Sequence, residues 1–175
     1  MKKIDIYNHV IPMAYLEKMK QLSKDTGIVK RMTGLRMLWD IEARAAMLKE
    51  KFPDVQQVLT LGLPSPELLG GPDVSPELAR IANDGMAEMC RRWPEQYPVF
   101  VASVPMNNVP AALEEMDRAI GKLGARGIQI CTNVAGRPLD EDEFFPVFER
   151  ITKHHDMPIW MHPARPATRT DYVSE

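Results

Sequence analysis

The chain has 175 residues, 45% of them hydrophobic and 26% charged, with a formal net charge of -2. That length suits one well-cored domain and the composition is that of a globular protein; the near-neutral balance gives no electrostatic reason to expect nucleic acid or an anionic membrane as partner. No apolar run approaches the roughly 20 residues of a membrane span, Asp5 and His9 interrupt any signal-peptide core, and two isolated cysteines form neither a CxxC pair nor a disulfide framework, so a cytoplasmic protein is expected.

The first predicted strand is Ile4-Asp5-Ile6-Tyr7-Asn8-His9-Val10-Ile11-Pro12. Side chains alternate along a strand, so Asp5, Tyr7 and His9 are expected on one face, with Asp5 needing a structural partner if buried. A polar, Lys- and Met-rich stretch to Gly34 reads as a long loop, a length often associated with function. Leu38 to Leu48 reads as a helix capped by Asp40, with Ile41, Ala45 and Leu48 inward. Gln57–Gly62 is the second strand. Ser75-Pro76 has the form of a hydroxyl cap followed by a first-turn proline, opening a helix to about Trp93. Pro98–Val104 is the third strand, and a helix runs from Pro110 to Leu123, with Asn107 and Asn108 as capping residues. Gly127–Cys131, a helix from Glu141 to His155 and a strand from Met157 to His162 complete the order. Twelve methionines are assigned to core and pocket lining rather than metal.

Short strands alternating with longer helices imply βαβ units and a parallel sheet. With no Gly-rich dinucleotide fingerprint after the first strand, a (β/α)8 TIM barrel is favoured over a Rossmann sheet. A complete barrel takes ~250 residues, so the chain is expected to be a single domain holding about the first five β/α units. A product ending there would expose an unpaired strand edge.

Four blocks carry a family resemblance: Asp5-Ile6-Tyr7-Asn8-His9 with Pro12; Leu38-Trp39-Asp40 with Arg44; Gly127-Ile128-Gln129-Ile130; and Pro158-Ile159-Trp160-Met161-His162-Pro163. In this order they resemble the N-terminal portion of the amidohydrolase superfamily, in its aminocarboxymuconate-semialdehyde decarboxylase-like group. The resemblance implies a metal-dependent barrel enzyme, zinc first and manganese second, that decarboxylates without oxidation. It also implies His9 and His162 as metal ligands, and places the catalytic histidine and an aspartate ligand beyond Glu175. The family has a further ligand, His or in some members Glu, where this chain has Tyr7. Neutral tyrosine is a poor zinc ligand, so Tyr7 is expected to donate a hydrogen bond to substrate or to fill the space of a lost ligand.

Other candidates around such a site are Arg31 and Arg36, whose guanidinium could hold a carboxylate in bidentate fashion, Trp39 and Arg44 as pocket residues, and Gln129, Trp160 and Arg165 at the mouth, with Trp160 available to stack on an aromatic ring. Cys131 reads as a small buried thiol, and His154 and His155 as helix-end charges without chemistry. The expected substrate is a small aromatic or unsaturated carboxylic acid, and the expected assembly a homodimer. Metal-assisted hydrolysis of a lactone or amide, and a metal-free ligand-binding member of the family, are the alternatives.

Overall fold

A computed structural model describes residues 2–164. Five parallel strands carry the architecture: β1 (Lys3–Val10), β2 (Val55–Leu61), β3 (Ala102–Ser103), β4 (Ile128–Cys131) and, after a small hairpin of β5 (Asn133–Val134) and β6 (Arg137–Pro138), β7 (Ile159–His162). β1 pairs with β2, β3 with β4 and β4 with β7. A bridge from Leu59 to Phe100 connects the two ladders, giving the spatial order β1-β2-β3-β4-β7. Only two residues of the expected third strand form a regular ladder. The chain before them nevertheless follows β2, through Leu59 N–H to Val99 O and Val101 N–H to Leu59 O.

The expected long loop after β1 is instead two helices, α1 (Met13–Leu22) and α2 (Thr26–Gly34). α1 buries Tyr15, Leu16 and Met19, one stripe of a 3.6-residue period, and Asp25 caps α2 by accepting from Gly27 N and Ile28 N. A short turn, α3 (Arg36–Trp39), leads into α4 (Ile41–Lys51), which Asp40 caps through Ala43 N. After the brief α5 (Pro66–Leu69) comes α6 (Ser75–Arg92). Ser75 does not cap it: the residue lies inside the first turn and its hydroxyl donates to Asn107 Oδ1, 2.6 Å away. Asn108 caps α7 (Val109–Gly121), whereas Asn107 binds Ser75 and Gly70 O. The last expected helix divides into a 3-10 turn (Asp142–Phe144), α8 (Phe145–Arg150) and a π-helical turn (Ile151–His155).

The core has two parts. Val10, Ile11, Leu59 and Leu61 pack with Tyr15 and Met19 of α1, Ile41, Ala45 and Leu48 of α4, and Leu78 and Met86 of α6. Ile128 and Ile130 pack with Ala112 and Met116 of α7 and with Val147 and Ile151. Gly127, at φ +148°, admits the close approach of β7, since a Cβ there would collide with Pro158 O and the Trp160 ring. Ile4 and Ile6 on β1 are 59% and 57% exposed and Met161 on β7 45%, because these strands are the outer members of the sheet. Two side-chain bonds span the gap between them: Tyr7 Oη donates to Met161 O at 2.8 Å and Trp160 Nε1 to Ile6 O at 2.7 Å. Among the described residues no backbone ladder joins β1 to β7, and the sheet is not a closed barrel. No described helix is long and apolar enough to cross a membrane.

Candidate metal centre at the ends of β1 and β7

The register of β1 is interrupted. Asp5 stands opposite Gln57 and Asn8 opposite Leu59, so three steps on β1 match two on β2. One extra residue changes which face every later side chain takes. Asp5 therefore does not share a face with His9, contrary to simple alternation. It turns to Gln57, whose Nε2 donates to Asp5 Oδ2 at 3.0 Å, which supplies its structural partner. Beyond the bulge, His9 stands opposite Thr60, on the side where β7 brings His162.

Tyr7, His9 and His162 converge there. The two imidazole centroids are 4.9 Å apart, and the Tyr7 ring lies 5.7 Å from His9 and, stacked, 6.3 Å from His162. The tautomers follow from the partners. His162 Nδ1 is 2.8 Å from Pro163 O, and a carbonyl can only accept, so Nδ1 carries the proton. His9 Nδ1 is 2.8 Å from Thr60 Oγ1, whose own proton is donated to Asn8 O. Thr60 is thus left to accept from His9 Nδ1–H. In its neutral form each ring then has its Nε2 lone pair free, the arrangement that outer hydrogen bonds impose on metal-binding histidines. Burial, reinforced by neighbouring His162, lowers the His9 pKa to about 4, against an opposing contribution from the Leu61 backbone; His9 is neutral at physiological pH. Burial and the nearby Cys131 raise the Tyr7 phenol above its ordinary value, so it too is uncharged.

Two imidazole lone pairs fit two positions of a divalent-metal shell. Zinc sites take three or four protein ligands, and among the described residues no group of three or more His, Cys, Asp or Glu is placed to hold a metal. Tyr7 has its hydroxyl proton committed to Met161 O. The described residues therefore offer no more than two imidazole ligands to such a site.

Of the other candidates, Trp160 stands beside Gln129 in the β4–β7 register and reaches β1. Gln129 is buried and donates to Leu61 O, and Cys131, opposite His162, has its thiol raised to about 11 by burial. Arg31 is exposed on α2, and Arg36 pairs with Asp40 Oδ2 at 2.7 Å. Trp39 donates to Thr33 O and lines a separate groove of about 370 Å³ with Met13, Met89 and Trp93, which none of Tyr7, His9 and His162 borders. Arg44 is buried behind β1. Arg165 lies outside the described residues. Sequence reasoning passed over Thr60, which sets the His9 tautomer; its place opposite His9 requires the strand register. It also passed over Glu67, fully buried beside the C-terminal end of β2, with a carboxyl raised to about 7 by burial.

The Amidohydrolase family model matches residues 4–174. The chain is 31% identical over 128 residues to the 2-amino-3-carboxymuconate-6-semialdehyde decarboxylase of Dictyostelium discoideum, a match covering 71% of this chain and 34% of that protein. It is 28% identical over 135 residues to a gamma-resorcylate decarboxylase of a Polaromonas species, covering 74% and 41%. Among solved structures, the 5-carboxyvanillate decarboxylase of Novosphingobium aromaticivorans, complexed with manganese and 4-hydroxy-3-methoxy-5-nitrobenzoic acid, superposes with a TM-score of 0.80 at 27% identity, covering 97% of this chain and 53% of that one. The chain spans about a third to a half of the length of the curated relatives it matches.

Proposed function

The chain belongs to the amidohydrolase family, and from that premise we propose that it is the N-terminal part, as a single domain, of a TIM-barrel decarboxylase that releases carbon dioxide from an aromatic or unsaturated carboxylic acid without oxidation. The observation that carries this reading is the convergence of His9 and His162, from two different strands, with each Nδ1 held by a hydrogen-bond partner and the rings 4.9 Å apart. In this reading His9 and His162 hold a divalent metal, manganese or zinc, and the remaining ligands come from the part of the barrel that the relatives have and this chain does not span. When bound, such a metal withdraws charge from substrate oxygens as carbon dioxide leaves.

The chain's own residues bind and orient. The Tyr7 ring borders the two imidazoles, and it and Trp160, two residues before His162 on β7, are the aromatic faces on offer to a planar substrate. Thr60 and Pro163 O hold the Nδ1 protons, so neither imidazole rotates its lone pair away from the site. The proton that replaces the lost carboxylate is supplied by a group outside the described residues. A soluble homodimer in the cytoplasm is the setting we propose for it.

Carbon dioxide release from a panel of phenolic acids, run against acid release from lactones, tests the reaction. Turnover of one phenolic acid, lost on chelation and restored by manganese or zinc, is the expected result. Lactone hydrolysis alone would replace the decarboxylase with a hydrolase. A protein that binds no metal after dialysis against either ion and releases no carbon dioxide would overturn both. A metal-free binding protein would then stand, the reading favoured by a tyrosine at the place of the family ligand.

A further inference from the structure

Arg44 sits on α4 and is 7% exposed, yet among the described residues its guanidinium meets no carboxylate. Nε donates to Gln57 Oε1 at 2.9 Å, Nη2 to Asn8 Oδ1 at 2.8 Å, and Nη1 to His9 O at 2.7 Å and Met37 O at 3.3 Å. Every acceptor is a neutral carbonyl oxygen. Removing a cation from water costs several kcal/mol, and this arrangement gives up the strongest available compensation. The acceptors share a second property: three of the four belong to the bulged part of β1 and to its partner strand.

The bulge explains what they do. Asn8 O and Val10 O point toward β2, where Thr60 Oγ1 and Gly62 N–H take them. His9 O, by the alternation of a strand, points to the free edge. Among the described residues Arg44 Nη1 is what takes it there, and next to it Ile11 N–H donates to Leu38 O. Within the bulge the Asn8 amide donates to Val58 O at 2.7 Å and to Asp5 O at 3.3 Å, closing the irregular turn of chain. Arg44 fixes the other end of that amide. Through Gln57 it also reaches Asp5, the residue on the far side of the bulge. One guanidinium thus ties together both flanks of the extra residue and the carbonyl of the residue that carries the imidazole.

We propose that Arg44 is a positioning residue for His9: its fork locks the bulged end of β1 so that His9 turns toward Thr60 and His162. This rests on the reading of His9 as a metal ligand. A lysine in its place reaches one acceptor at a time, because an ammonium lacks the planar fork.

The test compares full-length wild type with Arg44→Met, Arg44→Lys and, as a control for loss of a different, partly covered guanidinium, Arg118→Met. Two readouts are taken at pH 7.5: long-range 1H–15N spectra of the imidazole rings without metal, and the affinity for Co2+ from its visible spectrum. Arg44→Met is expected to move the His9 ring signals away from the Nδ1–H pattern while His162 stays in place, and to weaken Co2+ binding ~10–100-fold, the range for loss of an outer partner of a ligand. Arg44→Lys is expected to fall between it and wild type, and Arg118→Met to lower the urea midpoint with both readouts unchanged. Unchanged His9 signals in a folded Arg44→Met overturn the proposal. If that variant does not fold, unchanged signals in Arg44→Lys overturn it equally. Failure of wild type to bind Co2+ sinks the metal reading of the site, and the ring spectra still decide the role of Arg44.

Discussion

Arg44 and Arg118 are both guanidiniums largely withdrawn from water, and they are held in opposite ways. Arg118 meets two carboxylates, Glu115 through Nε and Nη2 at 2.8 Å each and Asp84 through Nη1 at 2.7 Å. Glu115 is 1% exposed and also accepts from Asn83, whose amide holds Ser103 on β3. The Glu115 carboxylate holds the Arg118 pKa above its ordinary value, whereas burial pulls that of Arg44 below. The Arg118 network joins α6, α7 and β3 by matched charges and serves stability. Arg44 joins α4 to an irregular strand through unmatched dipoles, at the strand that carries His9. A buried charge balanced by another is a structural device; one held only by carbonyls, next to a candidate ligand, points to geometry as its purpose.

Breaking the matched network has the largest expected effect. Arg118→Met leaves Glu115 buried without its main cation, with Arg80 Nε 3.9 Å away. A loss of about 3–5 kcal/mol is expected in urea unfolding, and a loss below about 1 kcal/mol would show that Arg80 replaces Arg118. Glu67 sharpens the contrast as a third case, a buried acid that meets no counter-charge among the described residues, where its Oε2 has no hydrogen-bond partner. Its carboxyl titrates near 7 in the fold against 4.5 ordinarily. As pH rises the unfolded chain ionises first, so the stability that Glu67 contributes as a neutral acid is complete below about 4.5 and is lost as pH passes 7. That amounts to on the order of 3 kcal/mol. Glu67→Gln cannot titrate, and its urea midpoint is expected to rise relative to wild type from pH 5 to 8; parallel pH profiles would refute the buried-acid assignment. The smallest effect is at Tyr7, which is 43% exposed. Tyr7→Phe removes only the bond to Met161 O, and about 0.5–1.5 kcal/mol is expected from urea midpoints. A larger loss would mean that this bond holds β7 against β1.

Much of the scaffold was legible locally. The Asp40 and Asn108 caps, the strand order and the placement of His9 and His162 at strand ends follow from short-range patterns. α1 carries a stripe of Tyr15, Leu16 and Met19 that Glu17 and Lys18 obscured, and the Asp25 cap of α2 was equally present in the sequence. Ser75 misled because a hydroxyl before proline is also free to bind elsewhere, and Asn107 was there to accept it. Arg44 could be placed on a helix by its spacing from Asp40, but whether a guanidinium there faces solvent, a pocket or the back of a strand depends on what packs over it.

The sequence by itself determined the candidates and the framework: two histidines at the ends of two predicted strands, a tyrosine two residues before the first of them, and an alternating βα order consistent with a parallel sheet. Only the tertiary structure decided how they face one another. An extra residue in β1 has no local signature, because a bulge exists only relative to the partner strand's register. That single slip separates Asp5 from His9 and sets His9 against Thr60. Likewise the Nδ1 partners of the imidazoles, the raised pKa of Glu67 and the unmatched charge of Arg44 are products of burial and of hydrogen-bond partners brought from distant positions, which no local pattern encodes.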